Sequence, residues 1–298
     1  MLDIVKLFKY SLLLMPMGSV LFGADFHGNH THYQGAVAVA LHGRVDALLI
    51  GGDLAPKSER GHLDIDEQAR FLSNDLPLLL QPLENRIPVY LIMGNDDCKT
   101  NLHMLQGKWW HEIHSRRLAL SDDLDVVGYS RVPITPFCNK DWEAFDLTND
   151  TGWEQAYPSR QQTYRLSGYI STARGWKECQ ISPEAWINDS IQADLNTEVF
   201  QKHPHKTIYL MHGPAVGVHD VATVGRVGSF ALRDFIYHAK PRVVLSGHIH
   251  ETVWLTGSYR QFENNTVCLT PGNDWTKPHT HLILIDPQQP KKAQRITL

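Results

Sequence analysis

The amino-acid sequence predicts an α/β fold organised around a parallel β-sheet. Short apolar runs at Val20–Ala24, Val45–Gly51 and Ile87–Met93 alternate with segments of helical periodicity, and short connections join them. Each apolar run ends in a small polar cluster, which is where open α/β sheets place ligand-binding residues. The chain of 298 residues, 42% of them hydrophobic, is long enough to bury the core that such a sheet requires.

Two helices are predicted between these three strands. Gln34–His42 has helical spacing, and Asp66–Asn85 carries leucines three and four residues apart. Pro77 and Pro82 are expected to kink or break the second helix, because proline lacks a backbone donor and clashes with the preceding turn. This alternation of strand and helix indicates that the three strands are parallel.

The middle of the chain does not continue this alternation. Residues at about 130–180 show no sustained hydrophobic period and contain several proline and aromatic residues. We predict an irregular excursion that lines a pocket. Ser182-Pro183 then predicts the start of a helix that reaches about Phe200, with serine as the N-cap and proline in the first turn.

The last third of the chain returns to alternating strands and helices. Thr207–Met211 and Arg242–Ser246 are predicted strands, and Ser229–His238 between them is a predicted helix. Val267–Thr270 and His281–Ile285 are predicted to be closing strands.

The composition narrows the classes of function. A formal net charge of −4 gives no indication of nucleic-acid binding by electrostatics. Seventeen histidines are many for this length, which makes a metal site worth seeking. The cysteines are dispersed without a CxxC pair, which favours a reducing compartment and a cytoplasmic location. These cysteines are Cys98, Cys138, Cys179 and Cys268.

A single domain is predicted at residues 18–298, preceded by an N-terminal extension at residues 1–17. The basic and apolar start resembles a signal peptide, but cleavage near Ala24 would remove the first predicted strand. No apolar stretch reaches the roughly 20 residues that span a membrane, so no membrane span is expected. The oligomeric state stays open.

Five predicted strands end in clusters that contain aspartate, asparagine or histidine. In chain order these clusters are Asp25-Phe26-His27, Gly52-Asp53, Gly94-Asn95-Asp96-Asp97, His212-Gly213 and Gly247-His248-Ile249-His250. Carboxylate, amide and imidazole groups together suit divalent Mn, Fe, Zn, Co or Ni. Any one cluster alone is more often turn chemistry, because Gly-Asn and Gly-Gly-Asp are common turn sequences. The occurrence of all five, each after a strand, favours a metal site.

This ordered set resembles the motifs of the calcineurin-like metallophosphoesterase superfamily over Asp25 to His250. The resemblance implies a four-layer α/β/β/α sandwich, in which two mixed β-sheets pack face to face with helices outside. It also implies two divalent metal ions. The first would be held by Asp25, His27, Asp53 and His250. The second would be held by Asp53, Asn95, His212 and His248.

The implied activity is hydrolysis of a phosphodiester or phosphomonoester by a hydroxide that bridges the metals. Two cations about 3.5–4 Å apart neutralise the phosphate and lower the pKa of a bridging water. Asp53 is the expected bridging ligand, because a carboxylate offers two oxygens. The sequence after His212, with Gly225 and Gly228, more loosely resembles the branch related to class III cyclic-nucleotide phosphodiesterases. The expected substrate is a small phosphoester, with nucleotides among the candidates.

The third cluster departs from the family pattern at Asp96, where most relatives carry a histidine that contacts the phosphate and helps to protonate the leaving group. Nearby cations hold a carboxyl ionised, so leaving-group protonation by Asp96 is expected to be weak. Candidate replacement acids are His219, His30 and His32. Lys57 follows the Asp53 loop, but a solvated loop charge is the commoner fate of such a lysine.

Two other functions compete with hydrolysis. The fold could serve as an interaction or regulatory module with weak or no catalysis, an interpretation that the substitution at Asp96 favours. Metal storage or redox chemistry is less favoured, because no cysteine is among the predicted ligands. The predicted catalytic residues are therefore Asp53 and Asp96, with Asp97 expected to orient a ligand.

Overall fold

The computed structural model describes residues 18–58, 62–147, 165–182 and 189–298. The strands are β1 (Val20–Gly23), β2 (Ala47–Gly51), β3 (Val89–Ile92), β4 (His111–Glu112), β5 (Arg117–Ser121), β6 (Leu124–Tyr129), β7 (Val132–Pro133), β8 (Glu143–Ala144), β9 (Ser167–Thr172), β10 (Gly175–Gln180), β11 (Thr207–Met211), β12 (Val221–Ala222), β13 (Gly225–Arg226), β14 (Val243–Ser246), β15 (Arg260–Glu263), β16 (Thr266–Leu269), β17 (His281–Ile285) and β18 (Gln294–Thr297). The α-helices are α1 (His30–Gly43), α2 (Ile65–Arg70), α3 (Leu76–Leu80), α4 (Ile191–Leu195), α5 (Glu198–Gln201), α6 (Phe230–Ala239) and α7 (Thr252–Thr256).

Two six-stranded mixed sheets form the centre of the fold. The first has the order β18-β17-β1-β2-β3-β4. Strands β1 to β4 are parallel, and β17 pairs antiparallel with both β1 and β18. The second has the order β15-β16-β14-β11-β6-β5, with β6, β11, β14 and β16 parallel. The predicted parallel arrangement of the first three strands is confirmed.

Three hydrophobic clusters separate four layers. In β2, Leu48 and Ile50 pack into a cluster with α1 and α3, whereas Ala47 and Leu49 pack toward the second sheet. Alternate side chains of a strand point to opposite faces, so a strand buried on both faces is a continuous apolar run. Tyr209 of β11 packs on the outer side against α6. The predicted α/β/β/α sandwich is confirmed.

The segment between β2 and β3 is helical but interrupted, as its prolines predict. Between α2 and α3 the residues Phe71–Asp75 form a π-helical turn, and Gln81–Leu83 form a 3-10 turn. Pro77 stands at the start of α3, where its missing donor is tolerated. Proline therefore sets where this helix changes its winding.

The long helix predicted from Ser182 to Phe200 is wrong over the described residues. Residues 183–188 lie outside the described part of the chain, and α4 begins only at Ile191. Its N-cap is Ser190, whose side chain accepts from the Ala193 amide, and Thr197 precedes α5. Short polar side chains at both positions compete for backbone hydrogen bonds and divide the segment into two short helices.

The region at about 130–180 also differs from the irregular excursion that we expected. Residues 167–180 form a regular antiparallel hairpin of β9 and β10, with Thr172 opposite Gly175. Its turn residues, Ala173 and Arg174, are not typical hairpin-turn residues, so the sequence carried no turn signal. Residues 1–17 and 148–164, including the predicted N-terminal extension, lie outside the described residues.

His114 makes stability depend on pH. Its ring stacks on Tyr129 and meets Trp142 edge-on, and its Nδ1 accepts from the Ser130 amide at 3.0 Å. Burial lowers the pKa of His114 from 6.5 to about 3. This neutral ring therefore stabilises the fold fully above pH 6.5, and the contribution is lost as pH falls toward 3.

We expect His114→Gln to flatten this dependence. The free energy of unfolding is measured by urea denaturation, with a chelator present to remove metal. Between pH 7.5 and pH 5, that of the wild type should fall by on the order of 2 kcal/mol more than that of the variant. Equal losses in both proteins would show that His114 becomes charged within the fold.

Candidate metal centre

The seven predicted ligands lie at one edge of the sandwich. They follow the carboxyl ends of β1, β2 and β3 in the first sheet and of β11 and β14 in the second. Both sheets direct the ends of their parallel strands to this edge, so residues far apart in the chain meet. The seven are Asp25, His27, Asp53, Asn95, His212, His248 and His250.

Asp53 lies at the middle of the cluster. Its side chain belongs to two groups of potential ligand atoms, each within 4.8 Å: one with His27 and His250, the other with Asp25 and His212. The Oδ2 atom of Asp53 is 3.4 Å from His27 Nε2, whereas Oδ1 is 3.5 Å from His212 Nε2. The two carboxylate oxygens therefore face different histidines.

Asn95 joins the remaining histidines to the cluster. Its Oδ1 lies 2.8 Å from His212 Nε2 and 2.6 Å from His248 Nδ1. The Nδ1 of His212 lies 2.9 Å from the Gly51 carbonyl, which can accept a proton carried on Nδ1. With the proton on Nδ1, the lone pair of His212 Nε2 points into the cluster, as in metal-binding histidines.

Four of the seven residues have left-handed backbone conformations. The φ angles are 58° at Asp25, 43° at His27, 52° at Asp53 and 69° at His248. Such angles are uncommon outside glycine and each costs on the order of 1–3 kcal/mol, so they persist only where the surroundings enforce them. Their concentration at one edge indicates a functional constraint on these turns.

Glycines let the turns approach one another. A Cβ on Gly94 would overlap the Asp53 carboxylate and backbone amide and the His212 ring. A Cβ on Gly247 would come within 3 Å of both carboxylate oxygens of Asp25. The side chains of the cluster occupy the space that other residues would need at these positions.

Burial shifts the pKa values of the cluster toward the neutral forms. It raises the pKa of Asp25 to about 7 and raises that of Asp53 well above its usual value. It also lowers the pKa of His250 to about 4 and that of His27 well below its usual value. Among the described residues, Asp25 Oδ2 is buried without a hydrogen-bond partner. A buried acceptor of this kind fits a divalent cation, which offsets the cost of burying carboxylates.

Asp97 holds two of the ligand loops in place. Its carboxylate accepts from the amides of Leu54 and Ala55, just after Asp53, and from the amide of Gly94, just before Asn95, at 2.8 to 2.9 Å. It therefore orients the loops of two predicted ligands through their backbone, in the kind of role that we expected from the sequence.

The sequence of residues 18–252 matches the family model described as calcineurin-like phosphoesterase. This match covers most of the chain. The chain belongs to the calcineurin-like phosphoesterase family. No protein of curated function matches it.

Two solved structures were compared with this chain. TT1561 of Thermus thermophilus is 14% identical, with a TM-score of 0.55, and the match covers 94% of this calcineurin-like phosphoesterase and 99% of TT1561. A dimetal phosphatase from Danio rerio is 13% identical, with a TM-score of 0.49, 95% coverage of this chain and 99% of the other. At such identities the likeness of TT1561 concerns the fold alone.

In this calcineurin-like phosphoesterase, the edge that carries the seven residues opens into a cavity of about 350 Å³, lined by Asp53, Asn95, Asp96, His248 and His250 among others. A second cavity of about 650 Å³ adjoins it and shares Lys57, Asp96, Pro136 and Phe137 with the first. The second cavity, here called the aromatic cleft, is defined by Phe137, Tyr169 and Trp176 with Lys57, His62 and Asn139.

Lys57 does not fit the expectation of a solvated loop charge. Its side chain is only 16% exposed and its ammonium contacts the Asp96 carboxylate inside the cavity. Trp275, which no sequence motif singled out, lies beside both Lys57 and His27. Both contacts depend on how loops meet, which no local sequence signal reports.

The three histidines considered as replacement acids lie elsewhere. His219 contacts the Cys268 carbonyl, His32 contacts the Lys277 carbonyl, and the His30 ring lies against Phe71. None of the three lines either cavity among the described residues.

In the part of the chain that the structure describes, no helix is both long and apolar enough to cross a membrane.

Proposed function

We propose that this calcineurin-like phosphoesterase hydrolyses small phosphoesters with two divalent metal ions. The observation that carries the proposal is the position of Asp53, whose two oxygens face two separate groups of ligand-type residues. One ion would be held by Asp25, His27, Asp53 and His250. The other would be held by Asp53, Asn95, His212 and His248.

The proposed metals supply Lewis-acid activation of water and neutralise the phosphoryl oxygens when bound. The residues of the chain prepare for this. Asp53 offers one oxygen to each side, the Gly51 carbonyl can accept the Nδ1 proton of His212, and Asp97 holds the loops. Oxygen and nitrogen donors without cysteine support Mn, Fe, Zn, Co or Ni.

The experiment that tests this function compares bis(p-nitrophenyl) phosphate with p-nitrophenyl phosphate, after Mn²⁺ loading and after chelation. Metal-dependent turnover is expected, and the faster substrate distinguishes a phosphodiesterase from a phosphomonoesterase. Two metals bound without turnover of a wide panel of phosphoesters would favour the rival function, an interaction or regulatory module. No metal and no turnover would overturn the proposal.

The aromatic cleft supports a substrate whose ester group carries a planar ring, as nucleotides do. Tyr169 and Trp176 lie on one face of the β9–β10 hairpin and are 38% and 40% exposed, and Phe137 is 56% exposed. Aromatic rings open to solvent beside a phosphoester site offer stacking surfaces. The cleft is continuous with the cavity that contains Asp53, so one substrate can reach both.

We expect Trp176→Ala to raise KM for phenyl phosphate about fivefold to tenfold, the effect of one lost aromatic contact. KM for glycerol 3-phosphate, which has no ring, should stay within about twofold, measured by phosphate release. Trp254→Ala is the matched control, because Trp254 is 80% exposed and is not among the residues that line either cavity. Equal changes for both esters would contradict ring binding in the cleft.

We also propose a cytoplasmic location. All four cysteines are free thiols, which supports a reducing compartment. In freshly prepared cell extract without reductant, we expect all four thiols to react with an alkylating reagent after unfolding, and the exposed Cys138 to react in the folded protein as well.

A further inference from the structure

Lys57 places a positive charge at the substrate side of the candidate metal centre. Its ammonium contacts the Asp96 carboxylate and lies 5.8 Å from the centroid of the Trp275 ring. It lines the cavity that also contains Asp53 and His250. A substrate phosphate in this cavity would therefore have an ammonium group within its reach.

The backbone on both sides of the Lys57–Asp96 contact is fixed. The side-chain amide of Gln68 donates to the Pro56 carbonyl at 3.0 Å and to the Asp96 carbonyl at 2.8 Å. The Asp96 amide in turn donates to Asp53 Oδ1 at 2.9 Å. Groups held in advance of the reaction stabilise a developing charge more effectively than mobile ones, because they need not reorganise.

Both carboxylate oxygens of Asp96 already accept hydrogen bonds from neighbouring side chains. Its Oδ1 accepts from the Asn95 side-chain amide at 3.0 Å, and its Oδ2 accepts from Lys57. Burial by itself lowers the pKa of Lys57, but the carboxylates of Asp96, Asp53 and Asp25 together raise that pKa overall. Lys57 is thus held as a cation with two of its three ammonium hydrogens left for another partner.

We propose that Lys57, positioned by Asp96, is the catalytic group that stabilises the oxygen of the departing alcohol. The proposal rests on the proposed phosphoester hydrolysis. As water attacks phosphorus and gives up one proton to solvent, a new P–O bond forms, the P–O bond to the alcohol breaks, and the electron pair of the broken bond goes to the departing oxygen. A charge-assisted hydrogen bond from Lys57 stabilises that oxygen, which takes a proton from solvent water after release. Asp96 is a positioning residue, and the neighbouring loop supplies the charge that a histidine at position 96 would have offered.

The test measures kcat/KM for aryl esters of similar shape whose leaving groups differ in basicity: phenyl, p-nitrophenyl and 2,4-dinitrophenyl. Lys57→Met should lower the value for the phenyl ester by about 100-fold to 1,000-fold, the effect of removing one donor to a developing oxyanion. The loss for the dinitrophenyl ester should be under about tenfold, because its phenolate needs little stabilisation. In Lys57→Met, kcat/KM should therefore fall more steeply with the basicity of the leaving group than it does in the wild type.

Two variants and one physical measurement serve as controls. Lys57→Arg keeps the charge and should restore part of the activity toward the phenyl ester. Lys99→Met removes a lysine whose ammonium lies over the Trp142 ring and should leave the dependence unchanged. Metal content, measured on the purified proteins, should be equal in the wild type and in Lys57→Met.

The outcomes separate this role from the proposed function. An equal loss for all three esters would overturn the leaving-group role, because it would show that Lys57 only binds the phosphate. No loss for any ester would also overturn it. A wild type with metal bound that hydrolyses none of the esters would overturn the proposed function, and the role of Lys57 with it.

Discussion

Asp53→Asn is expected to lower kcat/KM by at least about 1,000-fold and to remove at least one of two bound metal ions. The carboxylate faces His27 through one oxygen and His212 through the other, so its charge serves both proposed ion sites. An amide offers one oxygen and no charge, and a loss of about 4 kcal/mol of transition-state stabilisation corresponds to that factor. Among the described residues, Asp53 is the one member that the two groups share.

The measurement combines metal analysis with turnover of the better chromogenic ester. Asp122→Asn is a matched control, because Asp122 is exposed and is not among the residues of either group. It should retain metal and activity. If Asp53→Asn kept two metals and full turnover, the bridging role would be wrong.

Gly94→Ala is expected to lower activity at least about 100-fold without removing any ligand. The added methyl group would overlap the Asp53 carboxylate and the His212 ring, so both must move. Displacement of reacting groups by about 1 Å costs on the order of 100-fold in rate. Metal affinity should fall as well, because the same displacement separates Asp53 from its partners.

Gly213→Ala provides the comparison for this variant. Gly213 also follows a strand and adjoins a proposed ligand, but the nearest atoms to its added methyl group belong to Val132, at 3.1 Å or more. We expect this variant to keep activity within about fivefold. Circular dichroism should show both variants folded. Similar activities in the two variants would mean that the space beside Gly94 does not matter for the site.

The strands that carry the site could be predicted from the sequence. Thr207–Met211, which precedes His212, has the predicted bounds, as does the closing strand His281–Ile285, because a buried strand requires a continuous apolar run. The meeting of the seven predicted ligands follows from the same signal, since parallel strands that end together bring their next residues together. Their binding of metal stays a prediction.

The contacts between loops could not be predicted. Lys57 was expected to be solvated, and its contact with Asp96 depends on the path of two loops that Gln68 joins. The hairpin of β9 and β10 was missed because Tyr169 and Trp176 face a cleft, which disrupts the alternation typical of a half-buried strand. The local pattern of apolar and polar residues indicates which side chains are buried. It does not indicate the path of a loop or the position of a cleft.

The division of the ligands between the two sheets has a mechanical consequence. Asp25, Asp53 and Asn95 follow strands of the first sheet, whereas His212 and His248 follow strands of the second. Ions held by both sets would cross-link the two sheets of the sandwich. No disulfide does so, because all four cysteines are free. Bound metal should therefore oppose separation of the two sheets. The midpoint of thermal unfolding of the protein should rise with the free metal concentration.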